Sequence, residues 1–277
     1  MRRRPFYGLA ALALGTALTV AGCAGDGGSS SSASPAATTT ASSAAGGKAE
    51  NAALTADTFA TRLADAQKAK KSVQLSMTTT MAGQKVGVEG KVDLGGSKVA
   101  MDETVTMPGV MPEMTIRAVD GVIYMNMGKL SKNKWIEVDP SDTSDPLASQ
   151  FTGMLDGADP TQQLEGLKGA ITSLEKSGSP EKVDGVDAQK YVLTVDTTKL
   201  GGALKSQVGA AGASLPKTIT YTYWVDSDDL MRKVEADVAG AKVEMHFSHW
   251  GEPVTITAPP KSDILPGGIE DLTALES

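Results

Sequence analysis

The chain has 277 residues, with 33 Asp and Glu against 26 Lys and Arg and a formal charge of −7. An acidic balance of this kind argues against nucleic acid as a partner and against peripheral adhesion to anionic lipid headgroups. A single cysteine leaves no intramolecular disulfide, so the fold must stand on its apolar core.

The first residues fall into three zones. Arg2, Arg3 and Arg4 give a positive start, Phe6 to Val20 is an uncharged run rich in Ala and Leu, and Val20-Ala21-Gly22-Cys23 follows. This is the layout of a secretory signal, too short and wrongly flanked for a stable membrane span. Its ending resembles the lipobox of bacterial lipoproteins, an aliphatic residue and two small residues before a Cys. The resemblance implies that residues 1–22 are a signal peptide, that cleavage precedes Cys23, and that the Cys23 thiol receives a diacylglyceryl group. At about 0.8 kcal/mol per buried CH₂, one acyl chain holds marginally and two hold stably. The expected location is the extracytoplasmic face of the cell membrane, with the lipid anchor as the attachment. Loss of three arginines leaves 23 Lys and Arg against 33 acidic residues, a mature formal charge of about −10.

Residues 24–53 are mostly Gly, Ser, Thr and Ala, with too little apolar bulk to fold. Residues 23–53 therefore read as a lipidated Cys and a disordered tether with an r.m.s. reach of roughly 30 Å. One domain is expected over residues 54–277, with an irregular tail from near Pro260.

Thr55 to Lys71 reads as a helix, with Phe59, Leu63 and Ala66 on one face and Lys68, Lys70 and Lys71 at the end where the dipole favours them. Alternation of period two follows. Val73, Leu75, Met77 and Met81 oppose Gln74, Ser76, Thr78 and Thr80; Val86, Val88, Val92 and Leu94 form the next apolar row. Val99, Met101, Val105 and Met107 continue it, then Met114, Ile116 and Ala118, with Gly-containing turns between the runs. Val122–Met127 and Lys134–Val138 make a further pair. Asp145-Pro146 and Asp159-Pro160 each look like a helix N-cap followed by Pro at the first helical position. After the second, Leu164, Leu167, Ile171 and Leu174 make an apolar stripe that Lys176 and Gly178 close. A weaker helix spans Lys199 to Val208. Strands resume at Ala188–Val195, Lys217–Val225, Leu230–Val238 and Ala241–Trp250.

These patterns predict an α+β domain built on one large antiparallel meander of nine to eleven strands, solvated on one face. A sheet this wide curls, and a half-barrel with helices over its concave face is the simplest closure. Alternation leaves open whether the interior is hollow or packed.

The N-terminal helix and the strands ending in Trp224-Val225-Asp226, Leu230-Met231-Arg232-Lys233 and Phe247-Ser248-His249-Trp250-Gly251-Glu252-Pro253-Val254 resemble actinobacterial lipoproteins of the LppX/LprA/LprF/LprG group, as does Val183-Asp184-Gly185-Val186 with Tyr191. That group is similar to LolA/LolB-type carriers, half-barrels with helices as a lid over a hydrophobic cavity. The resemblance implies binding and possible transport of a lipid or lipoglycan, without catalysis.

Of eleven methionines beyond the first residue, eight lie between Met77 and Met127. Methionine is flexible and polarisable and suits walls that accept varied apolar ligands. A cavity wall of Met77, Met81, Met101, Val105, Met114 and Ile116, with Tyr221, Tyr223 and Phe247 from the later strands, would fit acyl chains. An ordinary core filled by the same residues is the other reading. Glycines 153, 157, 166, 169, 201 and 202 weaken the covering helices, as a lid that opens would need. His246 and His249, three apart on a strand, would point to opposite faces and could not share a metal. No metal or cofactor is expected, and Asp226, Asp228 and Asp229 read as a hairpin turn. No nucleophile elbow or phosphate-binding loop is present. The rival function is an envelope protein with a packed core that recognises a protein or polysaccharide, through Trp135, Trp224 and Trp250 if these are exposed.

Overall fold

A computed structural model describes residues 53–142, 160–201 and 216–266. The segments read as signal peptide and tether, including Cys23, lie outside these residues, as do the predicted helix after Pro146 and most of that after Lys199. Eleven strands form one antiparallel sheet in the order β6-β5-β4-β3-β2-β1-β11-β10-β9-β8-β7. Their ranges are β1 Ser72–Met81, β2 Gln84–Asp93, β3 Ala100–Met107, β4 Met111–Val119, β5 Val122–Asn126, β6 Trp135–Val138, β7 Ile171–Val183, β8 Val186–Asp196, β9 Thr218–Asp226, β10 Met231–Val238 and β11 Ala241–Ser248. Two meanders meet where the first strand pairs with the last, Met77 opposite Met245. Bulges between Val105 and Met107, Met231 and Lys233, and twice along β7 add twist, so the sheet curls. The expected half-barrel is what forms.

Helix α1, Ala56–Lys70, lies over the concave face. A capping box joins Thr55 and Thr58 at its start, and Lys71 in the left-handed conformation ends it. Its buried stripe is Phe59, Ala60, Leu63, Ala64 and Gln67, not Ala66. The Phe59 ring meets Tyr223 edge-on at 5.1 Å. Arg62 donates to both carboxylate oxygens of Asp229, in the β9–β10 turn, and so fixes the helix to the sheet.

The second helix, α2, spans only Pro160–Leu167. The stripe predicted to run on to Leu174 is divided between two elements. Gly169, at φ +76, ends the helical run, and β7 begins at Ile171. A bulge between Ile171 and Ser173 then turns Ile171 and Leu174 to the same apolar side, which mimics helical spacing.

The outer face is polar but not bare. Trp224 is 4% exposed, packed with Val183 and Ala188, its indole N–H donating to Glu181. Lys190 and Lys233 lie over its ring at 5.1 and 5.0 Å. Toward the other edge, Arg117 bonds Asp102 and the Thr257 carbonyl and covers the Trp135 ring at 4.9 Å. Leu265 donates its N–H to the Trp135 carbonyl, so residues near the predicted tail are held against β6.

Candidate functional site: the concave wall

The inner face is apolar from edge to edge. Met101, Ile116, Tyr223 and Phe247 are buried there, and Val105, Met114 and Tyr221 are half-buried against the same cluster. Burial pushes the Tyr221 and Tyr223 hydroxyls upward, so both stay neutral. Of the other predicted wall residues, Met77 is half-buried beside Val88, whereas Met81 stands at the β1–β2 tip, 52% exposed. Met81 is therefore not part of the wall; the strand has run past the helix that covers it.

Two polar side chains interrupt this surface, and alternation did not find them. Glu103 sits on β3 between Met101 and Val105, in a cross-strand row with Gly90 and Ile116. Only glycine fits at position 90, because a Cβ there would lie 2.6 Å from Glu103 Cγ and 2.9 Å from the Asp102 carbonyl oxygen. The Glu103 side chain thus lies across the Gly90 backbone. Burial, with a smaller contribution from the Asp102 charge, raises its pKa. Gln67 on α1 is wholly buried, and neither its amide nitrogen nor its amide oxygen has a hydrogen-bond partner. A buried amide left in this state costs about 1–3 kcal/mol. A protonated Glu103 carboxyl can donate to an ester or hydroxyl oxygen, and Gln67 can both donate and accept. The wall can hold a mainly apolar molecule that carries a few oxygens.

A second hollow, of about 470 Å³, lies on the outer face between Ser76, Thr78, Asp184, Glu244, His246, Ser248 and His249. His246 Nδ1 lies 3.0 Å from Asp184 and Nε2 lies 3.0 Å from Glu244. A neutral imidazole has one N–H, so two carboxylates together favour the cation. Burial works to lower the His246 pKa, but the bonds to Asp184 and Glu244 outweigh it and the net shift is upward. Both histidines border this one hollow, contrary to the expectation of opposite faces. The reason is that β11 ends at Ser248 and His249 sits in a left-handed turn, at φ 53. Among the described residues no group of three or more His, Cys, Asp or Glu is placed to hold a metal.

The LppX_LprAFG lipoprotein family model matches residues 55–256. The chain belongs to this family. The lipoarabinomannan carrier protein LprG of Mycobacteroides abscessus is 34% identical over 104 residues, which are 36% of this chain and 43% of that protein. The match thus spans less than half of that relative. The crystal structure of LprF from Mycobacterium bovis covers 74% of the chain and 96% of its own, at a TM-score of 0.53 and 16% identity. LppX from Mycobacterium tuberculosis covers 73% and 98%, at 0.51 and 19%. These likenesses establish the LppX_LprAFG fold for the half-barrel.

Proposed function

We propose that the protein is a membrane-anchored, extracytoplasmic member of the LppX_LprAFG family, acylated at Cys23, that carries a lipid or lipoglycan against its concave wall. The observation that supports this best is the wall itself, mainly apolar under α1, with Glu103 set into it and with the Gln67 amide buried and lacking a hydrogen-bond partner. Such an amide gains hydrogen bonds only from something that enters. The name of the LprG relative, a lipoarabinomannan carrier, agrees with a lipoglycan as ligand. The role is binding and hand-over rather than catalysis.

The rival reading, recognition of a protein or polysaccharide through tryptophans, loses its footing. Trp224 is buried, Trp135 lies under Arg117, and Trp250 stacks on Phe247 while its N–H donates to the Met231 carbonyl. Native mass spectrometry of the protein extracted from its own membrane tests the carrier reading. A co-purifying lipid, displaced by excess acyl lipid, is the expected result; protein free of lipid that also fails to bind added lipid would overturn it.

A further inference from the structure

The large apolar residues most exposed among those described are Met81, Val110 and Leu130, at 52, 56 and 56%. They are far apart in sequence, yet the strand registers place them on one rim of the sheet. Met81 pairs with Gln84 across the β1–β2 tip, and Gly87 opposes Thr106, so the β3–β4 turn holding Val110 lies at the same end. Asn126 pairs with Trp135, which puts the segment carrying Leu130 there too. Adjacent turns are two strand spacings apart, about 10 Å, so the three side chains are set at regular intervals along the rim.

The same stretch of rim carries lysines. Lys85, Lys129, Lys132 and Lys242 are exposed at or next to the turns of this rim, and Thr80 opposite Lys242 fixes the last of them there. Glu113 and Asp237 are the exposed acids beside them, and the Asp237 carboxylate accepts the Gly240 N–H; farther along the same rim Asp196, at the end of β8, pairs with Lys199. The opposite rim carries acids at most of its turns, together with the exposed Lys71, Lys98 and Lys182. Its turns carry Asp120, Asp184 and the Asp226–Asp229 group, with Asp139 just beyond β6. The overall acidic balance conceals this local excess of lysine.

We infer that the rim of Met81, Val110 and Leu130 docks directly on a bilayer with anionic headgroups, the lysines facing the phosphates and the aspartate rim turned away. Apolar tips flanked by lysine are the chemistry of an interfacial membrane contact. Around the three apolar tips the exposed lysines Lys85, Lys129, Lys132 and Lys242 outnumber the exposed acids Glu113 and Asp237, which suits an anionic bilayer better than a protein surface. The contact would be separate from any acyl anchor, and a 30-residue tether of roughly 30 Å r.m.s. reach permits it.

Hydrogen exchange on the full chain tests the contact. The protein is placed on vesicles of phosphatidylcholine alone and of equal parts phosphatidylcholine and phosphatidylglycerol. An anchor contributes equally on both, so the difference reports the rim. Amides in residues 82–85, 109–113 and 128–134 should exchange about tenfold more slowly on the anionic vesicles, and high salt should weaken that protection. The M81S/V110S/L130S variant should lose it, with exchange in β8 and β9 unchanged as proof of folding. Equal exchange of the rim on both vesicles, or protection of the aspartate rim instead, would overturn the inference.

Discussion

Glu103 places a carboxyl between Met101 and Val105 on the inner face, and burial there favours its neutral form. Because its folded pKa is raised, its contribution to stability is complete below the ordinary carboxylate range and is lost as pH rises through the folded value. The E103Q variant should therefore match wild type near pH 4 and exceed it in melting temperature near neutrality. Equal melting temperatures at neutral pH would show that the carboxyl has found a partner. His246 has a raised pKa as well, but it is a base. Its bonds to Asp184 and Glu244 are fully stabilising below about pH 6.5 and fade as pH climbs through the raised folded value. Thermal unfolding at pH 5.5 and 8.5 should show a wild-type advantage over H246Q at the lower pH that shrinks at the higher. A constant advantage would place the effect in packing rather than charge.

Helix α1 is attached to the sheet by an apolar stripe and by a charged clamp, with a looser Lys70–Asp228 pair at 4.0 Å at its end. Arg62 and Asp229 are each about one-fifth exposed, at 23 and 17% in their side chains, so their paired hydrogen bonds are partly screened. R62A should cost roughly 1–3 kcal/mol and raise hydrogen exchange along α1 before the strands respond. In a double-mutant cycle, R62A/D229A should cost less than the two single changes together. The first helix and most strands were legible from sequence, because each has one buried and one solvated face and period alone separates them. The helix that starts at Pro160 was legible too, but its end, and residues 168–178, were not. Leu164, Leu167, Ile171 and Leu174 keep helical spacing by accident, since the bulge after Ile171 restores a common face that a regular strand would have split. Glu103 and Gln67 were missed for the opposite reason. Reading a wall from its apolar residues passes over the polar ones set into it, and only the folded structure shows that Glu103 lies across Gly90 and that Gln67 is buried without a partner. Met81 was assigned to the wall because alternation carries no information about where a strand outruns its covering helix.

At the scale of the molecule, the attachment point proposed at Cys23 and the domain are joined only by sequence, so the anchor makes its own prediction. Labelled palmitate should appear in the wild-type protein and be absent from C23S, and C23S should move from the membrane to the soluble fraction apart from what the lysine rim retains. Label in C23S would remove the lipobox reading without touching the half-barrel.

The pairing of β1 with β11 has a consequence in time rather than in space. Met77 and its partner Met245 are separated by about 170 residues, and the chain leaves the ribosome N-terminus first. Until Ala241–Ser248 has emerged, the facing edges of β1 and β10 stay unpaired, and a gap one strand wide in the sheet's middle is a template for a second molecule. Chains stopped before Ala241 should therefore associate edge to edge, whereas chains that lose residues after Ser262 should fold. The last full strand closes the sheet, and the vulnerable interval of this protein's life is the wait for it.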